Sequence, residues 1–108
     1  MGSSMVRYKV QAGRAEENAA LVRAVYAELA VNQPDGLHYA TFRLPDGVSF
    51  LHLVVETDEP GRILGTIDAF RAFTADIESR CDEPPVVTEV TLVGSFGIVE
   101  PSRASSAG

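Results

Sequence analysis

The dipeptide Asp46-Gly47 lies between two segments of alternating apolar residues, and no other feature constrains the fold of this chain as strongly. Asp-Gly in this setting is the strongest short-range hairpin signal, because both residues of a tight two-residue loop need positive φ. Segments 37–44 and 48–57 are therefore predicted to be antiparallel strands. If Asp46 and Gly47 form the loop, Pro45 pairs with Val48, and a longer loop would change that register.

Strand and helix patterns flank this hairpin on both sides. Period-two alternation predicts a strand at residues 5–11, and apolar residues at helical spacing predict a helix that ends before Asn32. Beyond the hairpin, a second helix is predicted at residues 66–80 and a β-branched fourth strand at residues 86–97. The order β-α-β-β-α-β predicts a ferredoxin-like α+β fold, in which a four-stranded antiparallel sheet of spatial order 4-1-3-2 carries both helices on one face.

Length and composition predict one small domain. The chain has 108 residues, of which 45% are hydrophobic and 22% charged, as in ordinary globular domains. Residues 1–4 are expected to be a loose N-terminus, residues 5–99 the domain, and residues 100–108 a disordered tail. A chain of this length buries only about two thirds of its unfolded surface. Its single cysteine cannot form an internal disulfide, so a partner surface is expected.

Charge and hydropathy exclude several classes of partner. The net charge is −6, and the nine basic residues are scattered, whereas nucleic-acid binders carry a basic stripe. No stretch approaches the ~18 consecutive apolar residues of a membrane span. Residues 1–4 lack the basic and apolar regions of a signal peptide. We therefore expect a cytoplasmic protein that binds neither nucleic acid nor membrane.

The two histidines, His38 and His52, are the candidate bases, because imidazole titrates near neutral pH. In the two-residue-loop register Thr41 pairs with His52 and His38 with Val55, which places the histidines on opposite faces and prevents a shared metal ion. A register shifted by one residue would bring them to one face, but a third ligand would still be missing. We predict no metal. His38 is the stronger candidate base, since a hydrogen-bonded residue in a covered strand also explains His52.

The third strand is apolar on both faces, and this predicts a partner for the sheet. Its odd-numbered residues 51–55 and its even-numbered residues 50–54 are apolar apart from His52. Because two helices cover only one face of a four-stranded sheet, the second face needs another cover. We predict a homodimer that packs sheet against sheet. Assigning Val6, Tyr8 and Val10 to the helices places the following residues on the dimer face: Tyr39, Thr41, Phe50, His52 and Val54.

Four segments resemble a known protein family. They are MVRYKV at 5–10, GRAEEN at 13–18, DGVSFLHL at 46–53 and FRAF at 70–73. Together they resemble the antibiotic-biosynthesis-monooxygenase-like proteins of the dimeric α/β-barrel superfamily, over roughly residues 5–97. This resemblance implies a dimeric α/β barrel.

The resemblance also implies two activities. Some members oxidise aromatic polyketides with O₂ and no cofactor, using Asn, Trp and Tyr side chains, and others degrade haem through a histidine on a helix. This chain has no tryptophan and no histidine in its predicted second helix. Its two asparagines, Asn18 and Asn32, lie outside the predicted strands. None of the functional residues of the family therefore carries over to this chain.

Two functional hypotheses follow. The first is a cofactor-independent, monooxygenase-like or related enzyme that acts on a small apolar or aromatic molecule in a cavity between sheet and helices, with His38 as base. The expected lining residues of that cavity are Tyr26, Phe42, Phe70 and Phe73. The second hypothesis is a non-catalytic dimeric protein of the same fold that binds a small molecule or has an accessory role.

Overall fold

The computed structural model describes residues 2–56 and 62–96, so the predicted tail at 100–108 and the ends of the predicted strands at 57 and 97 lie outside the described residues. Short 3₁₀ turns occur at Ala12–Arg14 and Leu64–Thr66. The remaining elements are β1 (Gly2–Val10), α1 (Ala15–Asn32), β2 (Leu37–Arg43), β3 (Ser49–Glu56), α2 (Asp68–Ala75), α3 (Ile77–Arg80) and β4 (Cys81–Glu89).

The sheet confirms the predicted topology. Its strand order is β2-β3-β1-β4, and every neighbouring pair is antiparallel. The helices pack on one face, where Val22 and Val25 of α1 and Phe73 of α2 meet Tyr8 and Phe50 of the sheet. The chain is thus a ferredoxin-like α+β domain. No helix in the described part of the chain has the length and apolar character needed to cross a bilayer.

The N-terminus departs from the prediction. Strand β1 begins at Gly2, and Ser3 and Ser4 pair with Val55 and Val54 of β3, so the loose end expected at residues 1–4 was wrong for residues 2–4. The small polar side chains of this segment suggested disorder. Main-chain hydrogen bonds to β3 order it nevertheless, because a sheet satisfies backbone groups whatever the side chains are.

The hairpin keeps the predicted register with a longer loop. Leu44 N–H donates to the Ser49 carbonyl and Gly47 N–H to the Leu44 carbonyl, so residues 45–48 form the loop and only Gly47 among them has positive φ. The Asp46 carboxylate accepts hydrogen bonds from the main-chain N–H groups of Val48 and Ser49, which stabilises the longer loop. The loop is longer than the predicted one by one residue at each end, so the pairing of the strands is unchanged.

The pairing of β2 with β3 confirms that the two histidines lie on opposite faces. Thr41 pairs with His52, and His38 pairs with Val55. The assignment of the faces, however, was reversed. β1 pairs Tyr8 with Phe50 and Val6 with His52, and cross-strand partners share a face, so these residues all face the helices.

The predicted dimer face was therefore wrong, because its members line the helix-covered side of the sheet. These members are Tyr39, Thr41, Phe50, His52 and Val54. The turn specifies the register inside the hairpin, but a strand that is apolar on both sides does not reveal which side turns toward β1 and the helices. The side of the sheet away from the helices, which residues 90–95 cover in part, instead carries Met5, Phe42, Leu51, Leu53 and Val86, and we call this set the open face.

The predicted second helix is divided in two. α2 ends at Ala75, Asp76 has non-helical dihedral angles, and α3 then spans one turn to Arg80. Ser79 donates to the Asp76 carbonyl through both its main-chain N–H and its hydroxyl. These bonds satisfy a backbone group that the break leaves free.

Strand β4 begins earlier and ends earlier than predicted. It spans Cys81–Glu89 and includes Pro84 and Pro85, whereas the predicted strand begins at residue 86, after both prolines. β1 pairs with β4 through Lys9 to Glu83 and Arg7 to Val86, which leaves both prolines opposite Tyr8 in a bulge. An edge strand with a bulge tolerates proline, because no ladder hydrogen bond is required there.

Candidate functional site

A cavity of about 250 Å³ lies between the sheet and the helices α2 and α3. Aromatic rings of β1 and α2 form part of its walls. The ring centroids of Tyr8 and Phe73 are 6.2 Å apart, and those of Phe70 and Phe73 are also 6.2 Å apart. The other side chains on the walls are mostly aliphatic. The polar side chains on the walls are those of Tyr8, Tyr39, His52 and Thr74.

A continuous set of hydrogen bonds runs behind this cavity and ends on its wall. Arg80 Nε donates to Asn18 Oδ1 at 3.1 Å, and Asn18 Nδ2 donates to the Tyr8 hydroxyl at 2.9 Å. The Tyr8 hydroxyl is 2.8 Å from His52 Nε2, and the Tyr39 hydroxyl is 2.7 Å from His52 Nδ1. We call Arg80, Asn18, Tyr8, His52 and Tyr39 the polar chain.

Five different elements supply the polar chain, and local sequence patterns explain the position of each member. Tyr8, Tyr39 and His52 come from β1, β2 and β3, where period two directs them to the helix-covered face. Asn18 lies on the buried side of α1 with Ala15 and Val22, and Arg80 is the last residue of α3. The site therefore requires the complete tertiary fold.

The polar chain is deeply buried. Asn18 is 0% exposed, Arg80 1%, Tyr8 2% and His52 3%. Buried polar groups are tolerated only when they are hydrogen-bonded, and the polar chain supplies these bonds. Arg80 also donates to the Phe73 carbonyl at 2.8 Å and lies 5.4 Å from the Phe73 ring, and it takes part in none of the ion pairs of the described ranges.

Burial also determines the protonation of the site. It lowers the pKa of His52 from 6.5 to about 4, so the imidazole is neutral at pH 7. Burial raises the pKa of Tyr8 and of Tyr39 well above the usual range of a phenol. At neutral pH the polar chain thus consists of one buried cation, Arg80, followed by an amide, two phenols and a neutral imidazole.

Solved structures with this arrangement of strands and helices are known. A putative antibiotic biosynthesis monooxygenase from Nitrosomonas europaea matches with a TM-score of 0.71 at 13% identity, over 89% of this chain and 93% of that one. A second putative antibiotic biosynthesis monooxygenase, from Caulobacter crescentus, has a TM-score of 0.68 and 22% identity over 86% and 90% of the two chains. A variant of SnoaB, a cofactor-independent oxygenase from Streptomyces nogalater, has a TM-score of 0.64 and 18% identity over 88% and 95%.

This chain has the antibiotic-biosynthesis-monooxygenase fold. The resemblance suggested by the sequence is thereby confirmed for the fold. No family model matches the sequence, and no curated protein matches it.

Within the antibiotic-biosynthesis-monooxygenase fold, the structure separates the predicted site residues. Phe70 and Phe73 line the cavity between sheet and helices. His38 and Phe42 project from the opposite side of the sheet, so their expected place in that cavity was wrong. Tyr26 stacks on Tyr39, with ring centroids 5.1 Å apart, and lines a separate groove at the end of α1.

The two histidines have different surroundings. His52 is stacked against Tyr8 and Tyr39, and both of its ring nitrogens are hydrogen-bonded. His38 is only partly buried, and its Nδ1 is buried with no hydrogen-bond partner among the described residues. In the described ranges, no group of three His, Cys, Asp or Glu side chains could hold a metal ion.

Two members of the polar chain, Asn18 and Arg80, were missed by the sequence analysis. Asn18 gave a usable signal, because it follows Ala15 by three positions and precedes Val22 by four, which puts an amide on the apolar stripe of the first helix. A polar residue at such a position needs a buried partner. Arg80 gave no comparable signal, since arginine is common in the last turn of a helix.

Proposed function

We propose that this protein is a cofactor-independent, monooxygenase-like enzyme that acts on a small, mostly apolar aromatic molecule in the cavity between sheet and helices. One observation supports this proposal. The polar chain ends on an otherwise apolar cavity wall, where a neutral His52 is hydrogen-bonded to both Tyr8 and Tyr39. The cofactor-independent oxygenase activity named for SnoaB, which has the same fold, supports it.

The composition of the cavity walls favours an aromatic substrate. Phe70, Phe73 and Tyr8 offer ring faces and edges, and aromatic pairs prefer such stacked or tilted contacts. Few other polar groups face the cavity, so a charged substrate would lose its hydration without compensation. A hydrogen bond from the Tyr39 or His52 side would orient a substrate in this apolar setting, where such bonds are strong.

Oxidation of an anthrone to an anthraquinone is a suitable test reaction. The ring methylene becomes a carbonyl, so one atom of O₂ enters the product, and the other leaves as water with the two methylene hydrogens. No external reductant is needed, because the substrate supplies all the electrons. The enzyme has to orient the substrate and move protons, and the polar chain can do both.

A matched pair of histidine variants tests this proposal. We expect His52→Gln to reduce turnover of anthrone and 1,8-dihydroxyanthrone under O₂ by at least tenfold, within the usual contribution of one proton-handling group. His38→Gln, on the other side of the sheet, is expected to retain the activity. Quinone absorbance measures the rate, and an anaerobic sample gives the background. A folded wild type that does not accelerate oxidation of either compound would contradict the proposal.

A non-catalytic binding role is the second candidate. Both ring nitrogens of His52 are already hydrogen-bonded, which leaves no free nitrogen to act directly as a base. The expected result for a pure binding protein is saturable binding of an aromatic compound at the cavity, seen as shifted NMR signals of Phe70 and Phe73, with no oxidation. Turnover above the uncatalysed rate would exclude this alternative.

We also propose that the open face packs against the open face of a second copy. Met5, Leu51 and Leu53 lie at its centre, and Phe42 and Val86 are 47% and 63% exposed. After β4, residues 90–96 add further exposed apolar side chains, including Val93 at 98% and Phe96 at 96%. The members of the open face are apolar, but the exposed Arg7 lies between Leu51 and Val86. Apolar surface of this kind marks interaction sites, and two copies related by a two-fold axis would cover it.

A further inference from the structure

We infer that the polar chain has one fixed direction, from Arg80 toward the cavity, and that the Tyr39 hydroxyl is its terminal donor. The ligand of the cavity then presents an acceptor oxygen, such as a neutral aromatic carbonyl, to Tyr39. The inference about the ligand rests on the proposed function, which places a ligand in this cavity. The inference about the direction of the hydrogen bonds does not depend on the proposed function.

The direction begins at Arg80. A guanidinium group can only donate, so the atom of Asn18 that faces Arg80 Nε at 3.1 Å must be the amide oxygen. The amide nitrogen of Asn18 then faces Tyr8 and donates to its hydroxyl at 2.9 Å. The cation therefore fixes the orientation of an amide that could otherwise be flipped.

The next step fixes the tautomer of His52. The Tyr8 oxygen already accepts from Asn18, and the other hydrogen-bond partner of its hydroxyl among the described residues is His52 Nε2, 2.8 Å away, so we infer that Tyr8 donates to this nitrogen. Nε2 is thus an acceptor and carries no proton. A neutral imidazole has one N–H, which must then be on Nδ1.

The last step reaches the cavity. His52 Nδ1–H donates to the Tyr39 oxygen at 2.7 Å, with Thr41 Oγ1 as a longer second acceptor at 3.1 Å. The proton of Tyr39 is not needed by His52. The neighbouring Thr41 hydroxyl is its alternative acceptor inside the protein, and a ligand in the cavity would compete for it.

A change of one atom should reverse the whole polar chain. In Asn18→Asp, the new carboxylate would pair with Arg80 and could only accept from Tyr8. The Tyr8 proton would turn to the carboxylate, His52 would donate from Nε2 to Tyr8, and Nδ1 would accept from Tyr39. Tyr39 would then offer the cavity a lone pair in place of a proton.

The first readout is the His52 tautomer, measured by ¹⁵N NMR in a His38→Gln background, where His52 is the only histidine. We expect the Nδ1–H form in this background and the Nε2–H form after Asn18→Asp. Tyr8→Phe, which keeps the ring but removes the link to Asn18, should give a mixture. Tyr26→Phe, which changes only a hydroxyl bonded to Thr41 at 2.8 Å, should retain Nδ1–H.

The second readout is ligand preference, measured with two bicyclic probes of similar size. 1-Indanone only accepts a hydrogen bond, and indole donates one through its N–H. We expect the wild type to bind 1-indanone roughly tenfold more tightly than indole, because 1-indanone accepts a hydrogen bond from the Tyr39 hydroxyl and indole leaves that donor without a partner. Asn18→Asp should reverse this preference.

Several results would overturn the inference. An Nε2–H or a charged His52 in the His38→Gln background would refute the direction, and so would an Nδ1–H form that survives both Asn18→Asp and Tyr8→Phe. Equal binding of both probes, or no binding of either, would refute the ligand class. If Asn18→Asp does not fold, Tyr8→Phe alone decides the direction. Failure of the anthrone assay bears on the proposed activity and leaves the tautomer result unaffected.

Discussion

Burial and hydrogen bonding determine the protonation state of His52. It lies 3% exposed between the rings of Tyr8 and Tyr39, and both nitrogens are engaged. Protonation would put a second N–H opposite Tyr8, whose oxygen already accepts from Asn18, and would leave the Tyr8 proton without a partner. Desolvation and hydrogen-bond pattern thus favour the same neutral state.

This residue predicts an acid-dependent loss of stability. Its pKa is 6.5 when unfolded and about 4 when folded, so the unfolded chain binds more protons between these values and stability falls as the pH is lowered through that window. We expect the free energy of unfolding by urea to drop by about 2 kcal/mol from His52 alone between pH 7 and pH 5. The His52→Gln variant should lack this part of the pH dependence, and an identical slope in both proteins would contradict the prediction.

Tyr8, inside the polar chain, and Tyr26, outside it, provide a second prediction. Tyr8→Phe removes the Tyr8 hydroxyl as hydrogen-bond partner of the buried Asn18 Nδ2 and His52 Nε2, so we expect a loss of about 1–3 kcal/mol. Tyr26→Phe removes one bond of a half-buried hydroxyl and should cost about 1 kcal/mol or less. Urea unfolding at pH 7 measures both. Equal losses would mean that the polar chain is not a stabilising unit.

At the scale of elements, the hairpin between β2 and β3 depends on one glycine. Gly47 has a φ of 80°, a conformation that costs a residue with a Cβ roughly 1–2 kcal/mol. A Cβ there would meet no atom within 4 Å, and the same is true at Gly13, which has no positive φ. Gly47→Ala should therefore destabilise the protein by about 1 kcal/mol through backbone strain alone.

Gly13→Ala is the matched control for this prediction. It adds the same methyl group in equally open space without backbone strain, so we expect a change close to zero or slightly stabilising. Thermal unfolding of the two variants compares them directly. A loss at Gly13 as large as the loss at Gly47 would show that the added methyl group, rather than φ, is responsible.

At the scale of the whole molecule, substitutions at two neighbouring residues of β3 distinguish loss of the dimer from loss of the fold. Val54 faces the helices and is 8% exposed, and Leu53 lies on the open face. Because Val54→Asp would bury an unpaired charge in the core, it should unfold the chain at a cost of several kcal/mol. Leu53→Asp should leave the fold intact and split the proposed dimer.

Circular dichroism and sedimentation together test this pair. We expect the wild type to sediment at twice the mass of one chain at micromolar concentration, and folded Leu53→Asp at the mass of one chain. A wild type that sediments as a single chain would end the proposal of a dimer. A folded Val54→Asp variant would contradict the assignment of the sheet faces.

The sequence by itself determined the topology of the sheet, whereas it left the hairpin register dependent on the length of the loop; the register predicted for an Asp46-Gly47 loop is the observed one. Periodicity and turn residues are local properties, so Asp46-Gly47, the first helical stripe and the alternating strands predicted the order β2-β3-β1-β4 and the opposite faces of His38 and His52. Composition was less reliable, since the polar residues 2–4 form part of β1 and the prolines near residue 84 lie inside β4.

Only the tertiary structure decided which face of β3 meets the helices. Both faces are apolar, so the choice depends on how β1 pairs with β3, a contact between residues more than forty positions apart such as Tyr8 and His52. The candidate site follows from that choice, because it unites side chains of five elements. Asn18 left a trace on the apolar stripe of the first helix, but its hydrogen bonds to Arg80 and Tyr8 left none, because they form only when the packed core excludes water.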